Sequence, residues 1–476
     1  MRGLVWFRND LRLDDNPALS EACNRSDEGV VAVYTITPKQ WREHDWSPVK
    51  VEFVRRTLAE LSESLAAKNI ALRILALSDF ERVPKAIVEL AKEHACDALF
   101  YNEEYEVNED RRDEAVSDLF EDEVGEVCAF TDQCVFKPGS VRTGEGNFYT
   151  VFSPFKRAWY KAYESDPESV QPIGKPRKLT EMVGKPDRVP ETIDGYEDVP
   201  GHIDQWTPGE RAAHRRLKSF LENRIDTYKQ DRDFPASDAT SVLSPYLVCG
   251  SISLRRCAHE AVQWNDGKLD KGSPGAVHWI SELIWREFYK HILVGFPRVS
   301  MHRAFNTSTE RLSWNENDEH LNAWKEGRTG VPIVDAAMRQ LVQTGWMHNR
   351  LRMIAAMFLT KNLFIDWRIG ERFFMQHLID GDLAANNGGW QWSASTGTDA
   401  APYFRIMNPY SQSKKFDPEG EFIRAFVPEL SELDAKDIHD PSQLPPMARD
   451  KLDYPAPIVD VKASRVRAIE AFKALK

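Results

Sequence analysis

Residues 380–405, DGDLAANNGGWQWSASTGTDAAPYFR, place two aspartates, two asparagines and a Gly-Gly pair ahead of a Trp-x-Trp pair. Each buried carboxylate or amide must find hydrogen-bond partners or cost several kcal/mol, so an ordinary core does not favour this mixture. A bound planar ring with polar edges can use all of it. Asp380 and Asp382 can accept from a ring N–H or from Arg352, Asn386 can donate to a ring nitrogen, and the glycines permit close approach. The stretch indicates a binding site for such a ring.

The composition is typical of a soluble globular protein large enough for two or three domains, with 476 residues, 42% hydrophobic and 29% charged. No apolar run is long enough to span a membrane, and the N-terminus carries charges where a signal peptide needs an apolar stretch. The six cysteines form no CxxC pair and no zinc-type Cys/His cluster. We therefore expect reduced thiols, a cytoplasmic location and no metal site.

The formal charge of −12 argues only weakly against a nucleic-acid partner, because a basic groove on an acidic body can bind DNA. The acidity is concentrated in 102–126 and 429–440. Region 339–372 is basic instead: Arg339, Arg350, Arg352, Lys361, Arg368 and Arg372 stand against Asp366 and Glu371. The sequence thus leaves room for a DNA-binding face in that region.

The first 131 residues alternate between short apolar runs and helical patterns, the latter at 49–67 and 80–94. The runs are GLVWF, VVAVYTI, LRILAL, DALFYN and VCAF. This alternation predicts a doubly wound, Rossmann-like parallel sheet, although no G-x-G-x-x-G follows the first strand. Residues 166–208 hold seven prolines and read as a connection. We predict an α/β domain at 1–131, a linker at 132–205 and an all-α domain at 206–476.

Three segments of the helical region have informative faces. Val334, Ala337, Met338, Leu341 and Val342 form one predicted core stripe, and Met347, Leu351, Ile354, Ala355 and Phe358 form another. Opposite the second stripe, Asn349 and Met353 share a face flanked by Arg350 and Arg352, which suits an anionic, partly apolar ligand as well as a solvated surface. In 279–293, Ile280, Ile284, Phe288 and His291 form the predicted buried side. The other face carries Trp279, Glu282, Trp285, Arg286 and Tyr289, where a carboxyl between indoles can give or share a proton.

The stretch TSVLSPYL (240–247) has two interpretations. Ser244 ahead of Pro245 is the pattern of a helix N-cap. The hydroxyls of Thr240, Ser241 and Ser244, with free N–H groups, would equally form a phosphate cradle. Local sequence does not separate the two. The sequence contains no Ser/His/Asp order, GxSxG or P-loop, which removes the main support for hydrolases and NTPases.

Taken together, these motifs resemble the photolyase/cryptochrome flavoprotein family, and most closely its bacterial class I cyclobutane pyrimidine dimer photolyases. The resemblance runs through VWFRNDLRLDDNPAL (5–19), RDFPASDATSVLSPYL (232–247), ELIWREFY (282–289), TGVPIVDAAMRQLVQTGWMHNRLRM (329–353) and residues 380–405. It implies an N-terminal antenna domain and a C-terminal helical domain that binds U-shaped FAD, the active form being reduced and anionic.

The resemblance also implies the reaction, which is light-driven electron transfer from FAD to a flipped-out pyrimidine dimer in DNA. The matching FAD positions are Tyr228, Thr240, Ser241, Val242, Leu243, Ser244, Trp279, Glu282, Arg352, Asp380, Asp382 and Asn386. Arg352 would pair with Asp380, and Asn386 would face the flavin nitrogen that changes protonation. The positions for dimer and DNA are Arg232, Glu282, Trp285, Arg286, Tyr289, Asn349, Arg350, Met353, Trp392 and Gln412. Trp390, Trp367 and Trp314 match the family's electron-carrying tryptophans.

A second chromophore is implied less completely. His44, Asn108 and Glu109 resemble the positions that bind 5,10-methenyltetrahydrofolate. In folate-using relatives, however, a Cys-Lys pair stands where this chain has Ser300 and Met301. A deazaflavin or an empty site therefore stays an alternative.

Two rival functions remain. A cryptochrome-type photoreceptor without repair activity would replace substrate residues or Asn386, which this chain keeps, and a photolyase for six-four photoproducts would carry histidines at Asn349 and Met353. Without the resemblance, an α/β nucleotide-binding protein with a helical interaction domain, such as a partner of an electron-transfer flavoprotein, is the alternative class. We expect a monomer that acts on damaged DNA in the nucleoid and does not bind membranes.

Overall fold

The computed structural model describes residues 1–168 and 170–475. The chain divides into two compact units. The first, which we call the sheet unit, comprises Met1–Asp226 and Ser241–Ser300. The second, the helical unit, comprises Thr227–Thr240 and Met301–Lys476.

The sheet unit is built on five parallel strands in the order β3-β2-β1-β4-β5. The strands are β1 (Gly3–Phe7), β2 (Val30–Ile36), β3 (Ala71–Ala76), β4 (Ala98–Asn102) and β5 (Glu126–Phe130). β1 is central and pairs with β2 and β4 through Gly3–Val30 and Gly3–Ala98. Every residue of β1, β2 and β4 is buried, which explains their unbroken apolar runs, because helices cover both faces of such sheets. The predicted doubly wound fold is confirmed.

Twenty α-helices are present in the described residues, with several short 3₁₀ turns and one π-helix at Phe358–Leu363. In chain order they are α1 (Pro17–Arg25), α2 (Pro38–Glu43), α3 (Pro48–Ala66), α4 (Val83–Glu93), α5 (Val107–Glu123), α6 (Phe152–Ser165), α7 (Glu210–Asn223), α8 (Tyr228–Asp231), α9 (Ser244–Val248), α10 (Leu254–Trp264), α11 (Pro274–Gly295), α12 (Asp318–Lys325), α13 (Pro332–Thr344), α14 (Asn349–Met357), α15 (Trp367–Met375), α16 (Leu383–Ala394), α17 (Pro409–Phe416), α18 (Glu421–Phe426), α19 (Pro446–Arg449) and α20 (Val461–Lys473). α3 and α4 match the predicted helical patterns.

Helix α11 is held within the sheet unit by a buried carboxylate. Glu287 accepts hydrogen bonds from the backbone N–H groups of Val135 (2.7 Å) and Phe136 (3.3 Å) and from the indole N–H of Trp159 (2.8 Å). A buried charge is tolerated when it is hydrogen-bonded in this way. These bonds hold α11 against the chain that follows the sheet and against α6, and so fix the position of α11 within the sheet unit.

The core of the helical unit gathers α13–α16, the π-helix and α18 around one apolar cluster. The stripe from Met347 to Phe358 is buried as predicted. Val342 is 45% exposed, so its assignment to the core stripe of α13 was wrong. At 100° per residue it lies about 80° from Val334, at the edge of the apolar stripe.

The predicted boundaries at 131 and 205 remain predictions. α6 lies within the stretch predicted as linker, and the sheet unit includes residues 241–300. In the part of the chain that the structure describes, no helix is long and apolar enough to cross a membrane.

Candidate functional site

Within residues 380–405, Leu383–Ala394 form helix α16. Asp382 caps its N-terminus by accepting a hydrogen bond from the backbone N–H of Ala385 (2.8 Å). The helix continues through Gly388 and Gly389 although each interior glycine costs about 1 kcal/mol relative to alanine. A Cβ added to Gly389 would meet no atom within 4 Å. The glycine thus leaves open space along α16, as close approach of a flat ligand requires.

Arg352 on α14 and Asp380 form an ion pair ahead of α16. Arg352 Nη2 lies 2.9 Å and 2.8 Å from the two carboxylate oxygens of Asp380, and its Nε donates to the carbonyl of Met347 (2.8 Å). The Asp380 side chain is 3% exposed and that of Arg352 is 26% exposed. The pairing implied by the resemblance is confirmed, and it leaves one partly exposed cation beside a buried acid.

Asn386 is buried on α16 and donates from Nδ2 to the backbone carbonyl of Glu371 on α15 (3.0 Å). The sequence suggested that this amide would donate to a ring nitrogen. This bond takes one of the two N–H groups of the amide, so the second N–H and the oxygen Oδ1 are left to meet the polar edge of a ring.

The sequence analysis missed the residues behind this amide. Glu371 lies on the buried stripe of α15 with Trp367 and Phe374, at i, i+4 and i+7. Its carboxylate meets Asn387 and His302 at 3.2 Å and 3.1 Å. A carboxylate on an otherwise apolar stripe would have pointed to Glu371 in the sequence.

The three tryptophans that match the family's electron carriers all lie in the helical unit. Trp390 and Trp367 are buried, whereas Trp314 is half-buried. Trp390 packs edge-on against Phe374 (ring centroids 4.9 Å apart), and Trp314 packs against Phe364 (5.0 Å). Of the three, Trp314 is thus the one that solvent can reach.

The helical unit also carries the predicted substrate face of α14. Asn349 Nδ2 lies 4.0 Å from Met353 Sδ, so the two side chains share a face as expected. Arg350 donates to Asp233 (2.6 Å) and lies over the ring of Phe416 (4.4 Å). Asp233 and Phe416 are neighbours that the sequence did not reveal.

The helical unit also contains three further predicted contacts to the dimer or the DNA, namely Arg232, Trp392 and Gln412. Arg232 lies over the ring of Tyr228, 5.3 Å from its centroid. His348 caps α14 by accepting from the backbone N–H of Arg350 (3.2 Å), and burial lowers the pKa of His348 to about 4. Trp392 and Gln412 are half-buried, on α16 and α17.

The turn before α9 corrects one interpretation. Ser244 is the first helical residue, and the N-cap position is Leu243, which makes no side-chain cap. Ser244 is therefore not an N-cap, because the chain turns into the helix one residue earlier. Val242 has φ 48°, a left-handed conformation that is rare for a β-branched residue and is found where the surroundings enforce it. The phosphate-cradle interpretation of residues 240–244 stays a prediction.

On α11, in the sheet unit, Ile280, Ile284, Phe288 and His291 are buried as predicted. Trp279 is also buried, packed on Phe220, and the other predicted site residues of this helix, Glu282, Trp285, Arg286 and Tyr289, are half-buried. Trp285 stacks on Phe152 with ring centroids 3.7 Å apart. Glu282 Oε1 lies 3.5 Å from His278 Nε2, so the carboxyl has an imidazole neighbour one turn earlier on α11, which the sequence analysis did not name.

The three predicted antenna residues lie together in the sheet unit. His44 Nδ1 is 3.2 Å from Glu109 Oε1, and Asn108 Nδ2 is 2.9 Å from His44 Nε2. Burial lowers the pKa of His44, but the hydrogen bond and charge of Glu109 raise it more, so the net shift is upward. Ser300 accepts from the backbone N–H of Val107 at the start of α5 (3.2 Å).

Behind His44, a small cavity lined by Trp41, Trp46, Arg8 and other residues of the sheet unit has a volume of about 20 Å³, which is room for one water. Trp41 and Trp46, which line it, stack with ring centroids 5.0 Å apart.

The basic region 339–372 is less available to DNA than the sequence suggested. Lys361 is fully buried, where its ammonium donates to the carbonyl of Ala394 (2.8 Å). The other cations whose partners are resolved form ion pairs with acids, namely Arg339 with Glu429, Arg350 with Asp233, Arg352 with Asp380 and Arg368 with Glu310. The sequence shows how many charged residues this region has, but not which of them form ion pairs in the folded protein.

The structure assigns the predicted FAD residues to both units. The helical unit holds Tyr228, Thr240, Arg352, Asp380, Asp382 and Asn386, and the sheet unit holds Ser241, Val242, Leu243, Ser244, Trp279 and Glu282.

Comparison with known proteins gives consistent results over the whole chain. The family model for the FAD binding domain of DNA photolyase matches residues 279–474, and the DNA photolyase model matches residues 3–176. The deoxyribodipyrimidine photo-lyase of Escherichia coli is 47% identical over 99% of this chain and 98% of its own length, and that of Vibrio cholerae is 46% identical over 99% of both.

Two solved structures share the fold. A class III photolyase from Agrobacterium tumefaciens superimposes with a TM-score of 0.87 at 35% identity, covering 100% of this chain and 97% of its own. A cryptochrome from Synechocystis gives a TM-score of 0.88 at 26% identity, covering 99% of each chain.

Proposed function

The chain belongs to the DNA photolyase family, and on this premise we propose how its residues carry out light-driven repair of cyclobutane pyrimidine dimers. Its enzymatic activity is that of a deoxyribodipyrimidine photo-lyase, and its cofactor is FAD. The observation that carries the proposal is the polar set around α16. It comprises an ion pair with a buried acid, an aspartate that caps α16 and an amide held by α15, and α16 itself has open space at Gly389. These are the groups that a polar-edged isoalloxazine ring needs.

The residues that would hold FAD offer complementary chemistry. Arg352 supplies a fixed positive charge to the reduced, anionic ring while Asp380 orients it, and Asn386 would hydrogen-bond the polar edge of the ring. The backbone at Val242 would present N–H groups to phosphate. The remaining proposed contacts are Tyr228, Thr240, Ser241, Leu243, Ser244, Trp279, Glu282 and Asp382.

Bound FAD supplies the electron that light drives into the dimer, and the electron returns after the dimer splits, so no net redox change occurs. A damaged pair stacks poorly, so extruding it from DNA costs less than extruding a normal base. Glu282 would hydrogen-bond a carbonyl of the dimer. Trp285 and Trp392 would clamp the flipped bases. The proposed contacts to the dimer and the DNA are completed by Arg232, Arg286, Tyr289, Asn349, Arg350, Met353 and Gln412.

Trp390, Trp367 and Trp314 would carry an electron from the protein surface to oxidised FAD. The partial exposure of Trp314, against the burial of Trp390 and Trp367, supports its place as the outer carrier. Only the last carrier has to meet an external reductant, and Trp314 is the one with a solvent-exposed part.

A photoreceptor without repair activity is the weaker candidate. Glu282, Asn349, Met353 and Asn386, the residues that repair would need and that a photoreceptor could lose, are all present. The cryptochrome relative is also less similar than the photo-lyases, at 26% against 47% identity.

For the antenna we propose 5,10-methenyltetrahydrofolate at the group formed by His44, Asn108 and Glu109. These three side chains form one hydrogen-bonded group, with His44 between Glu109 (3.2 Å) and Asn108 (2.9 Å). The absorption spectrum of the folate-reconstituted protein tests this. A near-ultraviolet band that is lost in Glu109→Ala supports folate, and a band unchanged by that substitution contradicts the site.

Three broader features belong to the same proposal. The antenna pigment would bind to a domain at 1–131 and FAD to a helical domain at 206–476, with a linker at 132–205 between them. The enzyme would act as a monomer, because one chain carries every proposed contact. Its DNA substrate would keep it with the nucleoid in the cytoplasm.

The repair assay tests the function directly. The purified protein with reduced FAD is irradiated with an oligonucleotide that contains one dimer, and restored thymines are measured. Glu282→Ala should reduce the repair yield about tenfold with FAD still bound, as loss of a charge-assisted hydrogen bond predicts. Glu222→Ala, an exposed carboxylate on α7, is the matched control. Absence of light-dependent repair in the parent protein would refute the proposed function.

A further inference from the structure

Trp390, the proposed inner electron carrier, touches a tryptophan outside the proposed chain of three. Trp324, near the end of α12, packs edge-to-face against it, with ring centroids 6.1 Å apart and ring planes at 74°. This separation lies within the range of directly packed aromatic pairs, about 4.5–7 Å. The sequence analysis did not single out Trp324, because the contact joins two helices that are distant in sequence.

The contact between the two indoles belongs to the packed core of the helical unit. Trp324 is 0% exposed, and its indole N–H donates to the backbone carbonyl of Ala355 on α14 (3.1 Å). Phe374 on α15 packs against both rings, parallel to Trp324 (6.1 Å, 8°) and edge-on to Trp390 (4.9 Å, 80°). A buried ring with its one polar group bonded keeps a single orientation, so the two indoles stay in contact.

An oxidised Trp390 can take an electron from this neighbour. One electron passes from Trp324 to Trp390, so that Trp390 becomes neutral and Trp324 becomes the radical cation. No bond forms or breaks and no proton moves. The two side chains are the same chemical group, so neither is strongly favoured as the site of the charge. On Trp324 the charge is stabilised by the carbonyl of Ala355, because a hydrogen bond from an ionised donor is stronger than one from a neutral donor.

The charge has no separate exit from Trp324. A tryptophan radical cation becomes neutral without an electron donor only by releasing its indole proton to water or to a base. Trp324 is fully buried, and its N–H faces a backbone carbonyl, which is not a base. Its other ring contacts are to Phe373 and Phe374, and a phenyl ring is much harder to oxidise than an indole. The charge therefore returns to Trp390.

We propose that Trp324 is a side carrier that shares the positive charge of Trp390. The inference rests on the proposed function, in which Trp390 donates an electron to photoexcited FAD. While Trp324 holds the charge, Trp390 is neutral and the electron cannot return to it. If the charge divides equally between the two rings, recombination slows about twofold, because only half of the population is then in the reactive form. The outward step through Trp367 starts from the same oxidised Trp390 and slows equally, so the final yield of photoreduction is unchanged.

The first test measures the lifetime of the tryptophan radical cation in the FAD-loaded protein by transient absorption after a laser flash. Trp367→Phe is the background, because it blocks the outward route and leaves recombination as the way back. Adding Trp324→Phe should shorten the lifetime about twofold, since all of the charge then stays on Trp390. Trp264→Phe, at an exposed tryptophan on α10, is the control and should leave the lifetime unchanged. An unchanged lifetime with Trp324→Phe would overturn the proposal.

The second test separates electron sharing from packing. A ring-fluorinated tryptophan placed at position 324 keeps the indole shape and its N–H but is harder to oxidise. In the same Trp367→Phe background it should shorten the lifetime as Trp324→Phe does. If Trp324→Phe shortens the lifetime and the fluorinated ring does not, Trp324 acts on Trp390 by packing alone and the proposal is overturned. The fluorinated variant also carries the test by itself if Trp324→Phe does not fold.

Failure of this inference can be told apart from failure of the proposed function. If Trp390→Phe leaves the flash-induced tryptophan signal unchanged, Trp390 is not the inner carrier and the proposed chain is wrong. If the signal depends on Trp390 but both variants at Trp324 keep the parental lifetime, the chain stands and the role of Trp324 is wrong.

Discussion

The ion pair between Arg352 and Asp380 offers the sharpest quantitative prediction. Arg352→Met removes the guanidinium and leaves a carboxylate that is 3% exposed. Asp380→Asn removes the charge but leaves the arginine, which is 26% exposed and can turn towards water. The two substitutions should therefore have unequal costs.

The magnitude follows from the geometry. Arg352→Met abolishes two contacts of 2.9 Å and 2.8 Å to a buried anion. Breaking a buried pair costs about 3–5 kcal/mol, and the exposure of the arginine favours the lower end, about 3 kcal/mol. Asp380→Asn should cost about 1 kcal/mol, because an exposed cation loses little when its partner is removed. The double variant should lose about 2 kcal/mol, which gives a coupling energy of about 2 kcal/mol.

Urea unfolding of the FAD-free chain measures these free energies, provided that the denaturant slope stays constant across the variants. The exposed pair Lys218–Glu222, 3.7 Å apart, serves as control and should show coupling below about 0.5 kcal/mol. Additive losses at Arg352 and Asp380, within about 0.5 kcal/mol, would refute the idea that the buried acid depends on this arginine.

Three further predictions concern neighbouring groups. Burial holds the pKa of His348 at about 4, so the unfolded chain takes up the proton first. The free energy of unfolding should fall from pH 6.5 towards pH 4 by about 1.4 kcal/mol per unit in addition to other titrations, and His348→Asn should remove this part of a pH-dependent urea series. Trp314→Phe should block photoreduction of oxidised FAD, measured by absorbance, yet spare repair when FAD is supplied reduced, whereas the exposed Trp264→Phe should affect neither. Asp233→Asn should release Arg350 and tighten binding to dimer-containing DNA about threefold in a low-salt filter assay, as loss of a competing partly exposed ion pair predicts; unchanged affinity would remove Arg350 from the DNA contacts.

The sheet could be predicted well because its strands are short apolar runs separated by amphipathic helices, and both features are local. Val342 shows the limit of that approach. A residue at the edge of a helical stripe is buried or exposed according to what packs beside it, and the sequence of one helix does not contain that information. The prediction that Ser244 is an N-cap was wrong for a similar reason, because the backbone at Val242 turns before the expected cap.

The site was predictable in its residue types but not in its pairings. Acids and amides beside tryptophans are conspicuous in any sequence, because burying them needs a reason. Their partners are remote: Asp233 and Arg350 are 117 positions apart, and Glu371 meets Asn386 only through helix packing. Polar contacts of this kind depend on tertiary geometry, so local periodicity cannot find them.

The positions of the Asn386 amide and of the electron carrier Trp390 both depend on Gly370. A Cβ at this position would lie 2.2 Å from Trp390 Cη2 and 2.6 Å from Leu359 Cδ2, closer than atoms in packed interiors can approach. The absence of a side chain therefore lets α15 and α16 come together. The same approach brings the carbonyl of Glu371, the next residue, within reach of Asn386, and it seats Trp390 against the helix that begins with Trp367. Separating α15 from α16 would disturb both the Asn386 amide and the inner electron carrier Trp390. A change at Trp314 would affect only the outer electron carrier.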